Sequence, residues 1–293
     1  MAVRRSRWLL LAVLAGLAGA PRTASPETPS SDPVTAELVV DVASIQPGAV
    51  FTAGVLLRIR PGWHVYWKHP GGAGLPTEIR FRLPDGYEAG PVQWPLPVRF
   101  EQSAGIEGYG YEGEVLLMAG IRAPERLSAG GTIRIAAECR WLACRNVCLL
   151  GKAAPERTLP VAEAARPANR TLFAAWRARL PEVVRDPGAR PVRDRIEGTL
   201  SPDGAVSFLF VELRWEAAPQ AMDWYPAPAA DLEVADVRIK WDGARSWLSF
   251  TARALGGTSA PAVPLEGLLV YTDAAGRRRG VDLSLRLPVK TKS

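Results

Sequence analysis

The chain is poor in the side chains on which most enzymes rely. It has two histidines, His64 and His69, and three cysteines, Cys139, Cys144 and Cys148, among 293 residues. No His-Glu-x-x-His helix, Gly-x-Ser-x-Gly elbow or P-loop occurs, which excludes the common zinc-peptidase, serine-hydrolase and nucleotide-binding designs. A Cys-x-x-Cys of the thioredoxin type is also missing. Beyond residue 20 no stretch is apolar enough to cross a bilayer, which takes about 20 consecutive apolar residues. Basic residues are scattered among acidic ones, so a nucleic-acid stripe is excluded. Arg277, Arg278 and Arg279, between Gly276 and Gly280, read as an exposed hairpin tip.

What is present begins with a basic MAVRRSR, an apolar WLLLAVLAGLAG and small residues ending in Ala18, Gly19 and Ala20. These are the three parts of a secretory signal peptide over residues 1–20, with cleavage after Ala18 or Ala20. Its removal takes away Arg4, Arg5 and Arg7 and lowers the formal charge from +6 to about +3. Export matters because an oxidising compartment lets disulfides form and persist. Residues 21–34, rich in Pro, Ser and Thr, read as a flexible lead-in.

Period-two alternation then dominates. Phe51, Ala53, Val55, Leu57 and Ile59 share one strand face, and Trp63, Val65 and Trp67 continue the pattern after a Pro61-Gly62 turn. Further strands are predicted at Ile79 to Leu83, Val115 to Ile121, Thr132 to Trp141 and Arg157 to Val161, punctuated by turn residues as in a β-sandwich. An amphipathic helix is predicted over 169–180, with Leu172, Phe173, Trp176 and Leu180 on one face and Pro181 as its stop. The Asn169-Arg170-Thr171 sequon falls at this helix and reads as fortuitous. A second β-rich region follows, ending in a strand where Val281, Leu283, Leu285 and Leu287 alternate with polar residues. The expected class is therefore all-β: sandwiches over 35–165 and 185–290, joined by a helical linker over 166–184. The second contains no cysteine or histidine, so its expected work is to position the first or to contact a partner. The ten tryptophans sit largely in alternating strands, where core packing is the default role.

Strand parity separates the cysteines. Ile133, Ile135, Ala137, Cys139 and Trp141 fall on one face, so Cys139 reads as a small buried hydrophobe. Cys144 and Cys148 lie past the regular alternation, where Arg145 and Asn146 mark a polar turn. Two cysteines flanking three residues at a turn can reach the Cα separation of roughly 5.5 to 6 Å that a disulfide prefers. The loop they close is tiny and its entropic stabilisation small, so a reversible bond makes better sense than a staple. Two other readings stay open from the residues alone. One is a soft-ligand site for Cu(I), built from the cysteine pair with His64, His69 or Met118; the other is a permanent clip in a structural or binding module.

Four segments carry a resemblance: GWHVYWKHPGGAGLPTEIRF at 62–81, GPVQWPLPVRF at 90–100, GYGYEGEVLL at 108–117 and WLACRNVCLLGKA at 141–153. Together they resemble the N-terminal domain of the thiol:disulfide interchange protein DsbD family, in its ScsB-like branch, whose exported region also resembles two consecutive β-domains. The resemblance is specific over about 35–163 and looser over 185–290. It implies immunoglobulin-like sandwiches, a periplasmic location and the activity of a protein-disulfide reductase component that needs no cofactor. It further implies that Cys144 and Cys148 are the reactive pair, with Cys148 the point of attachment to a partner. The family's capping loop corresponds to 100–111, with Phe100 or Tyr109 as covering side chains and Glu101 as a proton-handling neighbour. Full-length family members continue into a transmembrane domain and a thioredoxin-like domain, and neither occurs in these 293 residues. A thioredoxin-like electron donor and a membrane relay are therefore expected on separate chains. The clients are expected to be oxidised periplasmic proteins, such as a disulfide isomerase, an apocytochrome pathway component or a copper-stress protein.

Overall fold

The computed structural model describes residues 32–102, 105–128, 130–182 and 192–291. The expected signal peptide and all but the last three residues of the lead-in lie outside them. The chain first lays down β1 (Val34–Val40), β2 (Val50–Ile59), β3 (His64–Gly71), β4 (Glu78–Arg82), β5 (Glu88–Ala89) and β6 (Val98–Glu101). It continues through β7 (Glu107–Glu112), β8 (Glu114–Arg122), β9 (Thr132–Cys144), β10 (Cys148–Ala153) and β11 (Glu156–Pro160). One sheet has the order β1-β2-β8-β5; the other runs β10-β9-β3-β7-β6, with β4 and β11 also paired to β9. β9 is the hub of this second sheet. Its first half pairs with β11 and β4, and its last residues pair with β10 and β3.

Alternation decides which faces meet. Phe51, Ala53, Val55, Leu57 and Ile59 are all buried, as are Val65, Trp67, Ile135, Ala137, Cys139 and Trp141. Side chains of period two from the two sheets thus interdigitate in one apolar layer. The helix α1 (Arg170–Arg177) closes an end of that layer by burying Phe173 and Trp176 in it. It is shorter than the sequence predicts: 178–180 form a turn, and the Arg179 carbonyl accepts from the Leu96 amide at 2.8 Å. Asn169 precedes the helix in the left-handed region, φ 50°, and its Nδ2 donates to the Val40 carbonyl at 2.8 Å, which gives this sequon residue a structural task.

The second sandwich contains β12 (Val192–Glu197), β13 (Ser207–Trp215), β14 (Ala221–Pro226), β15 (Leu232–Asp242), β16 (Arg245–Ala254), β17 (Ala262–Thr272) and β18 (Arg278–Pro288). Its sheets have the orders β12-β13-β16-β15 and β14-β17-β18. In β18, Val281, Leu283, Leu285 and Leu287 are buried while Asp282, Ser284 and Arg286 are exposed, so the alternating pattern maps directly onto core and solvent. The fold is thus all-β, two consecutive immunoglobulin-like sandwiches joined through a helix-containing segment.

The two sandwiches share apolar surface, because Tyr225, Leu268 and Val270 of the second pack into the core of the first. The arginine run at 277–279 corrects one expectation. Arg277 bonds to Asp273 at an exposed tip, but Arg278 donates to the carbonyls of Leu96 and Pro97, and Arg279 pairs with Glu182 and Asp273. Turn residues predict the hairpin; they cannot reveal that carbonyls of another sandwich lie within its reach.

Replacing Phe173, fully buried beneath the helix, leaves a cavity. Phe173→Ala is expected to cost about 3 to 5 kcal/mol in urea unfolding, whereas Arg170→Ala on the exposed side of the same helix should stay within about 0.5 kcal/mol.

Candidate functional site

Cys144 and Cys148 are joined in a disulfide with Cα atoms 4.1 Å apart. The sequence places them beyond a strand; the structure places them at the mouth of a hairpin, Cys144 ending β9 and Cys148 opening β10 in direct register. Arg145, Asn146 and Val147 form the loop, closed by the Arg145 amide donating to the Val147 carbonyl at 3.0 Å.

The two sulfurs have different surroundings. Odd-numbered residues of β9 from Ile135 to Ala143 point into the core, so Cys144 points to the outer face, where a sandwich strand normally meets water. It is nevertheless only 2% exposed. Cys148 is exposed, and so are its neighbours Val147 at 60%, Leu149 at 44% and Leu150 at 79%.

A second, small layer covers Cys144. In β3, Val65 and Trp67 enter the core, so His64 and Tyr66 share the outer face, and His64 lies directly opposite Cys144 in the ladder. Opposed residues of an antiparallel pair carry their side chains on one face with Cβ atoms roughly 4.5 to 5.5 Å apart. Phe100 from β6 lies on His64, ring centroids 3.9 Å apart, and meets the edge of Tyr66 at 5.7 Å. The Tyr66 hydroxyl donates to Gln102 Oε1 at 2.9 Å and stands 3.5 Å from Cys144 Sγ. Two glycines make room for these rings. A Cβ on Gly74 would fall 2.3 Å from the Tyr66 ring, and one on Gly108 would fall 2.3 Å from Phe100. Gly74 also has φ +107°, which other residues rarely adopt.

The polar groups here are shifted by burial. Desolvation raises the Tyr66 phenol, which keeps it a donor, and lowers His64, which keeps its imidazole neutral at pH 7. His64 Nε2 is buried without a hydrogen-bond partner, an uncommon state for a ring nitrogen. Cys139 is held in the core, its thiol pushed up to about 12 by burial.

Of the sequence-predicted cap residues, the structure brings Phe100 to the disulfide layer. Tyr109 sits opposite Arg99 rather than Phe100, on the other face of the same ribbon, with its ring 4.9 Å from Tyr225 of the second sandwich. Glu101 is exposed at the end of β6, opposite Glu107. Tyr66 and Gln102 were not picked out by sequence reasoning, and His64 was considered there only as a soft metal ligand beside the pair. The period-two reading of WHVYW carried the signal, since it already sets His64 and Tyr66 against Val65 and Trp67. The other soft ligands considered do not gather at the pair: Met118 lies in the core on β8, and His69 packs edge-on against Trp67 at 5.1 Å. Among the described residues, no group of three or more His, Cys, Asp or Glu is placed to hold a metal ion.

Two measurements follow from these environments. Alkylation of the oxidised native protein at pH 8 should label no thiol, with one label appearing per chain on unfolding, because Cys139 is buried and weakly acidic. Burial lowers both His64 and His69, the latter helped by Lys68. The unfolded chain protonates near pH 6.5 while the native chain stays neutral, so the unfolded state binds more protons there and stability falls on acidification. The urea midpoint should drop between about pH 6.5 and 5, before the carboxylates titrate, and His64→Gln with His69→Gln should flatten that drop.

Residues 31–160 match the family described as thiol:disulfide interchange protein DsbD, N-terminal. No curated protein matches the chain. The solved N-terminal periplasmic domain of ScsB from Proteus mirabilis aligns with a TM-score of 0.63 over 90% of this chain and 97% of that one, at 17% identity, which shows a shared fold. A protein of unknown function from Porphyromonas gingivalis W83 aligns over 87% of this chain and 100% of its own at 10% identity, with a TM-score of 0.22. The adhesin InvE of Yersinia pseudotuberculosis aligns over 88% of this chain and 59% of its own at 11% identity, with a TM-score of 0.19. Neither of these scores bears on the fold. Among the described residues no helix is long and apolar enough to cross a membrane. The disulfide, the strand that buries Cys144 and the residues covering it all fall inside residues 31–160, the span that matches the DsbD N-terminal domain family.

Proposed function

We propose that this protein is a periplasmic thiol-disulfide exchange protein. It accepts two electrons from a thioredoxin-like donor, itself supplied by a membrane relay, and passes them to oxidised periplasmic proteins through Cys144 and Cys148. One observation carries this reading: the disulfide has one exposed and one buried sulfur, at the tip of a hairpin flanked by exposed apolar residues. A partner thiolate reaches Cys148 far more readily than Cys144.

The exchange then runs in balanced steps. A donor thiolate attacks Cys148 Sγ; the new sulfur–sulfur bond forms as the Cys144–Cys148 bond breaks, and the electron pair leaves on Cys144. The Tyr66 hydroxyl, 3.5 Å away, can turn its one proton from Gln102 to that thiolate, whose burial would otherwise be costly. The donor's second thiolate next attacks the donor sulfur of the mixed disulfide and releases Cys148, leaving the donor oxidised and this pair reduced. Toward a client the order reverses. Cys148 attacks the client disulfide, and Cys144, after losing its proton, displaces the client from Cys148. Neutral His64, opposite Cys144 in the ladder and with an unpartnered buried nitrogen, is the candidate to take that proton.

Trapping tests the reading. Cys144→Ser removes the resolving sulfur; with Cys148 first converted to its mixed disulfide with thionitrobenzoate, attack by a reduced thioredoxin lacking its own second cysteine displaces the thionitrobenzoate and should leave a stable protein–protein disulfide visible by mass. Cys148→Ser should trap far less, because Cys144 is covered. Failure of both variants to trap sinks the exchange role.

A further inference from the structure

The second sandwich has neither thiol nor imidazole, yet it grips the strand whose Phe100 packs on His64 and Tyr66, the two residues beside Cys144. β6 is a four-residue strand at the edge of its sheet, and among the described residues its ladder pairing is with β7 alone. Its neighbouring residues point to opposite faces. Phe100 covers His64 and Tyr66, and Arg99, one residue earlier, points to the second sandwich.

Arg99 has a dense set of partners. Its guanidinium donates to Asp223 Oδ1 at 3.0 Å and to the Trp224 carbonyl at 2.9 Å, both on β14, and to Glu107 on β7. It also lies 5.4 Å from the centroid of the Tyr109 ring and 5.6 Å from that of Tyr225. Upstream, Arg278 of β18 donates to the carbonyls of Leu96 and Pro97, fixing the chain as it enters β6. An edge strand this short has little to hold it in its own sheet, and such elements open locally at small free-energy cost. Beyond Glu107 and the rings under Phe100, the contacts that oppose opening come from the other sandwich.

We propose that the second sandwich is the anchor of the β6–β7 cover, and that Arg99, set between Asp223 and Tyr225, is the positioning residue that keeps Phe100 over the buried sulfur. The role of this sandwich is then to set how far Cys144 is exposed to thiols and oxidants other than those that enter through Cys148. This deepens the exchange reading but rests on the geometry of the cover, and it is tested without any partner protein.

A Cys148→Ser background leaves two thiols, Cys144 under the cover and Cys139 in the core. Labelling with iodoacetamide, quantified at each cysteine by peptide mass, reads the cover and the core in the same molecule. Phe100→Ala supplies the scale for an uncovered Cys144. Arg99→Met keeps side-chain length but removes the charge-assisted hydrogen bonds, and it should speed labelling of Cys144 about ten-fold or more while leaving Cys139 unchanged. Tyr225→Leu should act in the same direction. Unchanged labelling of Cys144 in both variants overturns the assignment, as does an equal rise at Cys139, which would mark loosening of the whole fold. Either result leaves the trapping experiment unaffected, so the anchor and the exchange role fail separately.

Discussion

The site depends on one geometric constraint: β9 carries the sulfur of Cys144 on the face of the strand that does not enter the core. A sandwich strand buries alternate residues, and the core face of β9 is already filled by Ile135, Ala137, Cys139, Trp141 and Ala143. Placed on that face, Cys144 would be as inaccessible as Cys139, with a thiol held far from ionisation. Placed on the other face without cover, it would be as open as Cys148. Only a strand face with its own thin second layer gives a sulfur that is shielded yet one side chain from the surface. Tyr66 and Phe100 supply that layer, and Gly74 and Gly108 are the backbone positions where a Cβ would collide with their rings.

On the exchange role proposed above, that layer would suit the paired sulfurs to different steps. An incoming thiolate needs a clear approach, which the exposed hairpin tip provides. A leaving thiolate needs a hydrogen-bond donor more than it needs space, since an uncompensated buried charge is costly. Tyr66, kept protonated by its burial, meets that need from the outer face of β3. His64 beside it is neutral when the disulfide opens, so help to the leaving thiolate comes from a hydrogen bond rather than from an ion pair.

Much of this was legible in the sequence, and the part that was not has a common cause. Parity alone separated Cys139 from the pair and predicted the buried faces of β2 and β18. The helix was visible in the spacing of Phe173 and Trp176. The partnership of His64 with Cys144 was not, because it is a register between strands eighty residues apart, and nothing local encodes register. Tyr109 illustrates the same limit. It is an aromatic in the segment resembling the family's cap, but it pairs with Arg99 instead of Phe100, and that single-residue offset turns it from the disulfide to the second sandwich. Arg278 and Arg279 look like solvent charges until the carbonyls and carboxylate they meet are brought to them by tertiary folding.

The shared apolar boundary makes the anchoring physically reasonable. Salt bridges at an open surface contribute little, typically about 0 to 1 kcal/mol, and a hinge held by them alone would be loose. Here the Arg99–Asp223 pair is partly screened from water beside Tyr225, which is itself fully buried and packs with Trp67 and Tyr109 of the first sandwich. Burying an aromatic ring fixes the distance between the sandwiches, and it is at fixed distance that a planar guanidinium can satisfy a carboxylate and a carbonyl together. Orientation of the cover therefore follows from apolar packing first and ionic contacts second. An ionic clamp without Tyr225 would lack a fixed partner, and Tyr225 without Arg99 would hold the sandwiches together while leaving β6 free to move.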